Sequence, residues 1–268
     1  MSQRLITLTT DFGEGSPYVA AMKGVILGIN PDARLVDLSH RIPPQNILHA
    51  AWFLASALPW FPPETMHVIV VDPGVGTKRK LLLVHAGTQW LLVPDNGCWT
   101  LAAERMADRP DVRWLKERSY WLPEVSRTFH GRDILAPVAA HLSLGLAPEK
   151  CGPPATYWTS FLLPPPALAP RRITGEVIFI DDFGNLITNI PARALRQPGF
   201  RSPRVRVGDH NVKQFVGTYG EAEEGSPVGL IGSEGHLEVA VINGSAAKTL
   251  SVGVGCRVEV IAAPRKRT

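Results

Sequence analysis

The sequence predicts an α/β protein in two parts. An N-terminal α/β domain with a mostly parallel central sheet covers residues 1–161, and a smaller C-terminal antiparallel, barrel-like β domain covers residues 173–262. Through the first half, short β-branched runs alternate with segments of helical period, as in strand and helix layers of one sheet. Beyond residue 172 that alternation gives way to short strands set off by Gly, Asn and Asp turns. Between them, Leu162-Leu-Pro-Pro-Pro-Ala-Leu-Ala-Pro170 is stiff, proline-rich and without periodicity, and residues 162–172 are read as a linker. Residues 263–268, which include Arg265-Lys266-Arg267, are expected as a frayed basic tail.

A chain of 268 residues, 45% hydrophobic and 19% charged, can bury a core and has the composition of a globular protein rather than a disordered one. The net charge of +4 lies partly in the tail, and no basic stripe is interleaved with aromatics, which speaks against nucleic acid as a partner. Cys98, Cys151 and Cys256 are far apart and lack metal-ligand spacing, which fits a reducing cytoplasm. The longest apolar run, residues 50–58, is too short to cross a bilayer, and the N-terminus lacks the pattern of a signal peptide. A soluble cytoplasmic protein with no membrane partner is expected.

In order, residues 4–11 form a β-rich run ending at Asp11, and Phe12-Gly13-Glu14-Gly15 follows as a loop. Ser16 and Pro17 are expected as N-cap and first position of a helix in which Val19, Met22, Val25, Ile26 and Ile29 recur at helical spacing. Residues 33–38 read as the next strand, and the helix after it covers roughly 45–57. Residues 68–71 are four consecutive β-formers, as in a strand covered on both faces, and Pro73 stops them. This β, α, β, α, β order implies a parallel sheet. Residues 81–84 and 90–93 flank Gly87-Thr88 as a hairpin-like pair, and Pro94-Asp95-Asn96-Gly97 is turn chemistry. Residues 99–106 read as helix, 107–126 as short strands, and 134–144 as a helix entered through Phe129-His130-Gly131-Arg132-Asp133. In the second part, strands are expected at 175–180, 204–207, 227–231, 237–241 and 257–261.

The chemistry concentrates at strand ends. Asp72 enters the turn Pro73-Gly74-Val75-Gly76 at the sheet edge where open α/β sheets bind ligands, and Arg79 is close enough in sequence to fold back and pair with it. From these residues alone, Asp72 as a simple turn cap with Arg79 solvated stays an open alternative. Asp11, Asp37 and Asp72 could gather around a divalent metal, but each strand end carries a single acid, and Asp11 is followed by Phe12. A lone strand-end carboxylate suits the two hydroxyls of a ribose instead, so no metal site is expected. His130 is either a packed capping residue or a functional one. Residues 181–189 are either a hairpin loop or a polar cradle for a small molecule. No nucleophile elbow, P-loop or dinucleotide fingerprint occurs.

Taken together, Thr9-Thr10-Asp11-Phe12-Gly13, the turn from Val71 to Gly76 with Arg79, Pro94-Asp95-Asn96-Gly97, Phe129-His130-Gly131-Arg132-Asp133 and Phe183-Gly184-Asn185-Leu186-Ile187-Thr188-Asn189 resemble the S-adenosylmethionine hydroxide adenosyltransferases, hydrolase relatives of the fluorinase and chlorinase. The resemblance spans both domains. It implies a cofactor-independent enzyme that lets water attack the 5′ carbon of S-adenosylmethionine, releasing methionine and adenosine. It places the water-handling roles on Asp72, Arg79 and His130. The ribose falls to Asp11, the methionine amino group to Asp181, adenine to Asn185, and the methionine carboxylate to Ser233. Glu234 stands where the fluorinase has an arginine. Halogenating relatives carry an aromatic at the position of Asp72, and a carboxylate there repels halide. The family implies a homotrimer with sites between one subunit's first domain and a neighbour's second. Two other readings are kept: a non-catalytic adenosine or S-adenosylmethionine binding module, and a metal-dependent nucleotidase.

Overall fold

The computed structural model describes residues 4–106, 109–197, 199–200 and 203–263. The chain divides into two compact units, Met1–Leu162 and Leu163–Thr268. The expected basic tail lies outside the described residues except for Ala263.

The first unit opens with β1 (Leu5–Thr10), α1 (Tyr18–Ile29), β2 (Arg34–Ser39), α2 (Ile47–Ala57) and β3 (Met66–Val70). A hairpin, β4 (Leu81–Ala86) and β5 (Gln89–Pro94), then precedes α3 (Thr100–Met106), β6 (Asp111–Trp114) and α4 (Ala136–Ser143). The sheet order is β2-β1-β3-β5-β4-β6, with β2, β1, β3 and β5 parallel and β4 and β6 antiparallel additions. All of β3 is buried, which explains why it is apolar but for His67, whose ring is hydrogen-bonded on both nitrogens. Met66, Val68 and Val70 share a core with Ile6, Leu8 and Met22, and with Val138 and Ala139 of α4. His67 and Ile69 point to the opposite face, as the pleat requires.

The starts of α1 and α4 differ from the sequence reading. Pro17, not Ser16, is the N-cap of α1; its carbonyl accepts from Ala21 N at 2.9 Å, and no side chain caps the helix. Proline's fixed φ already suits the helix at that position. The helix expected over 134–144 instead begins as a π-turn, Gly131–Leu135, before α4. Pro137 has no N–H for the Asp133 carbonyl, which accepts from Leu122 N at 2.9 Å.

The second unit contains β7 (Ala167–Ala169), β8 (Arg172–Ile180), β9 (Leu186–Pro191), β10 (Arg204–Val207), β11 (His210–Val212), β12 (Gln214–Phe215), β13 (Pro227–Ile231), β14 (His236–Val241), a short α5 (Ala246–Thr249) and β15 (Arg257–Ile261). The order β11-β10-β15-β8-β9-β14-β13-β12 is antiparallel except between β12 and β13. Its ends approach each other, β10 towards β12 and β11 towards β13, giving a nearly closed barrel. Ile173, Val177, Leu186, Val205, Leu237, Val239 and Val258 fill it.

The segment read as a linker contributes β7, because Ala167-Leu168-Ala169 has the free N–H groups that Pro164, Pro165 and Pro166 lack. The polar stretch 181–189 is a turn only to Asn185. Thr188 and Asn189 are buried strand residues whose side chains serve the backbone: Thr188 Oγ1 donates to Leu237 O at 2.9 Å, and Asn189 Nδ2 to Pro164 O at 2.7 Å.

Candidate active site

The parallel strands β1, β3 and β5 deliver Asp11, Asp72 and the Asp95-Asn96 turn to one edge of the sheet, since β1 and β3 pair in register up to Thr10 and Val70. At Asp72 the chain turns back on itself: Val75 N donates to Asp72 O and Thr77 N to Gly74 O, both at 3.2 Å. Gly76 takes φ 77°, and a Cβ there would run into the Arg127 carbonyl oxygen. The reversal carries Arg79 onto Asp72. Arg79 Nε lies 3.0 Å from Asp72 Oδ1 and 2.9 Å from Oδ2, and Nη2 donates to Oδ2 at 2.5 Å. The two side chains are only 7% and 11% exposed, so this is a shielded, charge-assisted pair rather than a surface contact.

His130 joins the pair from a distant part of the chain. Its Nδ1 lies 2.9 Å from Arg79 Nη2. A guanidinium only donates, so Nδ1 must accept, which leaves the proton of the neutral ring on Nε2. Burial and the Arg79 charge depress the pKa of His130 below its ordinary 6.5, although Asp72, Asp133 and the Ser126 backbone oppose them. The three residues therefore form one chain: carboxylate, guanidinium, then a neutral imidazole whose proton lies on Nε2.

The residues around the trio fix it. Gly131 is needed for close approach, because a Cβ there would meet Val70 Cγ2 at 2.9 Å. Asp133, wholly buried, accepts from Ser126 N at 2.8 Å and Arg132 Nε at 2.6 Å. Burial alone would raise the Asp133 pKa, but the Arg132 and Ser126 hydrogen bonds outweigh it and hold the carboxyl below its ordinary range. On the other side, Asn96 Nδ2 donates to Val71 O at 2.8 Å, while Asn96 Oδ1 accepts from Cys98 N at 3.1 Å. Burial, aided by the Asp72 charge, pushes the Cys98 thiol up to about 12, so it is inert at neutral pH. Sequence reasoning gave Asn96, Ser126 and Asp133 no role; the turn motif at 94–97 was the only signal for Asn96.

The remaining candidates are placed as follows. Asp11 accepts from Gln45 N at 2.8 Å, with Gln45 at φ 62°. Asp37 instead pairs with Lys23 Nζ and His40 Nε2, so the three strand-end acids are engaged separately. Among the described residues no group of His, Cys, Asp or Glu is arranged to hold a metal ion. In the second unit the structure joins Asp181 to Asn185, whose N and Nδ2 donate to Asp181 Oδ1 and Oδ2 at 2.8 and 2.9 Å. Phe183, between them, is 78% exposed. Ser233 lies exposed in the turn between β13 and β14 and is not part of that pair. Tyr219 Oη donates to the buried Glu238, whose pKa is raised by burial and then by the Asp181 charge, with the Tyr219 hydrogen bond opposing.

The model of the SAM hydroxide adenosyltransferase N-terminal domain matches residues 6–152, and that of the C-terminal domain matches residues 175–259. Among curated relatives, an (R)-S-adenosyl-L-methionine hydrolase of Thermus thermophilus is 41% identical, covering 96% of this chain and 100% of its own. Another of that name, from Salinispora tropica, is 38% identical over 96% of this chain and 97% of its own. A crystal structure of an uncharacterized conserved protein from Thermotoga maritima superposes with a TM-score of 0.88 at 36% identity, covering 96% of this chain and 100% of that one. With both domain models matched in order along one chain, the protein belongs to the SAM hydroxide adenosyltransferase family.

Proposed function

We propose that this protein hydrolyses S-adenosyl-L-methionine to adenosine and methionine, with Asp72, Arg79 and His130 as the catalytic residues. The observation that supports it most is the continuous Asp72–Arg79–His130 hydrogen-bonded chain at the edge of the sheet, in a chain 41% identical to a named hydrolase of this substrate. A water beside this trio can donate to the Asp72 carboxylate and accept from His130 Nε2–H, which aims an oxygen lone pair at the substrate. Arg79 fixes both partners and stabilises charge developing on the attacking oxygen. The leaving group departs as a neutral thioether and needs no acid, so positioning the nucleophile is the main task. Asp72 acts on the water either as base or as orienter.

For the substrate, the same reading assigns the ribose hydroxyls to Asp11, the amino group to Asp181, adenine to Asn185 and the carboxylate end to Ser233. It takes residues 1–161 as the catalytic domain and 173–262 as a substrate-binding domain. It also makes the enzyme a cytoplasmic homotrimer with each site shared by two subunits. The test is to incubate chelator-treated protein with S-adenosylmethionine, with and without chloride, and separate the nucleosides. Adenosine in both, with no 5′-chloro product, is expected. An Asp72→Ala protein that still turned over would remove the assigned role, and binding without turnover would favour a non-catalytic module.

A further inference from the structure

The first unit contains a cavity of about 550 Å³ between the turn that carries Arg79 and the segment from Trp114 to His130. Arg79 and His130 form part of its wall, together with Lys80, Lys116, Arg118 and Arg127, and no Asp or Glu lines it. None of those four additional cations has a carboxylate within ion-pair distance among the described residues. Two of them rest on indole rings instead: Lys116 Nζ lies 4.6 Å from the Trp114 ring centroid, and the Arg118 guanidinium 5.7 Å from that of Trp121.

Arg79 uses Nε and Nη2 on Asp72 and His130, while its Nη1 makes no hydrogen bond to a described residue. Like charges held together repel, and an oxyanion among them relieves that repulsion. Phosphate oxygens suit a guanidinium edge, ammonium groups and N–H donors.

We propose that this cavity binds a phosphate-bearing anion and that Arg79 is shared between that anion, through Nη1, and Asp72. The volume is in the range of small-molecule sites and accommodates a nucleotide as well as inorganic phosphate. An anion on Nη1 draws the guanidinium away from Asp72 and His130, so filling the cavity slows turnover; that consequence rests on the hydrolase reading above, whereas the binding itself does not.

The test titrates the full chain at low salt with inorganic phosphate, pyrophosphate and ATP by calorimetry, beside a Lys116→Gln/Arg127→Gln double variant. Both side chains are exposed, and a melting curve checks the variant's fold. Saturable binding of at least one probe, weakened about tenfold or more in the double variant, is expected from losing charge-assisted contacts. Equal affinity for pyrophosphate and ATP assigns the site to free phosphates, and tighter ATP binding assigns it to a nucleotide. No saturable binding of any probe, or equal affinity in the double variant, overturns the site. Competition with S-adenosylmethionine would overturn it as a separate site. Adenosine release should slow as the cavity fills in the wild type and be insensitive in the double variant; binding with unslowed release refutes the link through Arg79. Binding to a protein that never turns over leaves the anion site standing and removes the hydrolase reading alone.

Discussion

Arg79 is the residue on which the candidate site turns. It spans a carboxylate seven positions back and an imidazole 51 positions on, using the fixed fork of its guanidinium. A lysine offers one point charge and cannot reach both. Arg79→Lys is therefore expected to keep the fold and lower kcat by roughly two orders of magnitude, the scale of one lost preorganised donor; steady-state kinetics beside circular dichroism would check it, and near-normal kcat would contradict it. On the proposed mechanism His130 sets the acid limb. Its pKa is lowered by burial and by Arg79, so the neutral ring that accepts at Nδ1 persists below the ordinary 6.5, and protonation removes that acceptor. The acid limb of the kcat/KM profile should have its midpoint below 6.5, and His130→Gln should abolish that limb.

At the scale of elements, the site depends on how tightly the π-turn before α4 is pressed against the end of β3. Gly131 permits this, and an alanine would intrude on Val70. Gly131→Ala is expected to cost about 1–3 kcal/mol in stability, the range for overpacking, and to reduce kcat further by displacing His130. Denaturant melts and kinetics on the same protein would separate the two effects; a variant of normal stability and rate would contradict the close fit. The strands carrying Asp11 and Asp72 were legible because β-branched runs ended in Pro or Gly, and the short span from Asp72 to Arg79 made their pairing foreseeable. The role proposed for His130 was legible only through family resemblance, because its position depends on the contact between Gly131 and Val70. The anchoring roles of Asn96, Ser126 and Asp133 involve backbone groups far away in sequence, such as Val71 O, and have no local pattern. Strand β9 was hidden because Thr188 and Asn189 look like loop residues until their backbone partners are known.

For the whole molecule, one buried network gives a pH signature. His67 is fully buried, with Nδ1 2.7 Å from Thr7 Oγ1 and Nε2 3.0 Å from Gln89 Oε1. Burial lowers its pKa from 6.5 to about 4, against the Gln89 hydrogen bond. The unfolded chain then binds the extra proton between those values, so stability is full above pH 6.5 and falls as pH drops towards 4. The loss is on the order of 3 kcal/mol. Chemical denaturation at several pH values should show this slope, and His67→Gln should flatten it. The proposed sharing of sites has its own test. Asp72→Ala and Asp181→Ala proteins, each expected to be inactive, should regain roughly a quarter of wild-type activity when unfolded and refolded together, because random mixed trimers of the proposed kind rebuild intact sites. No recovery, in mixtures verified as mixed trimers, would place each site within one subunit.

The most direct measurement is to run the reaction in ¹⁸O-labelled water and locate the label. If the water held by Asp72, Arg79 and His130 attacks the 5′ carbon, adenosine carries one labelled oxygen at its 5′ hydroxyl and methionine carries none. Adenosine without label, or no adenosine from active, folded protein, would contradict it.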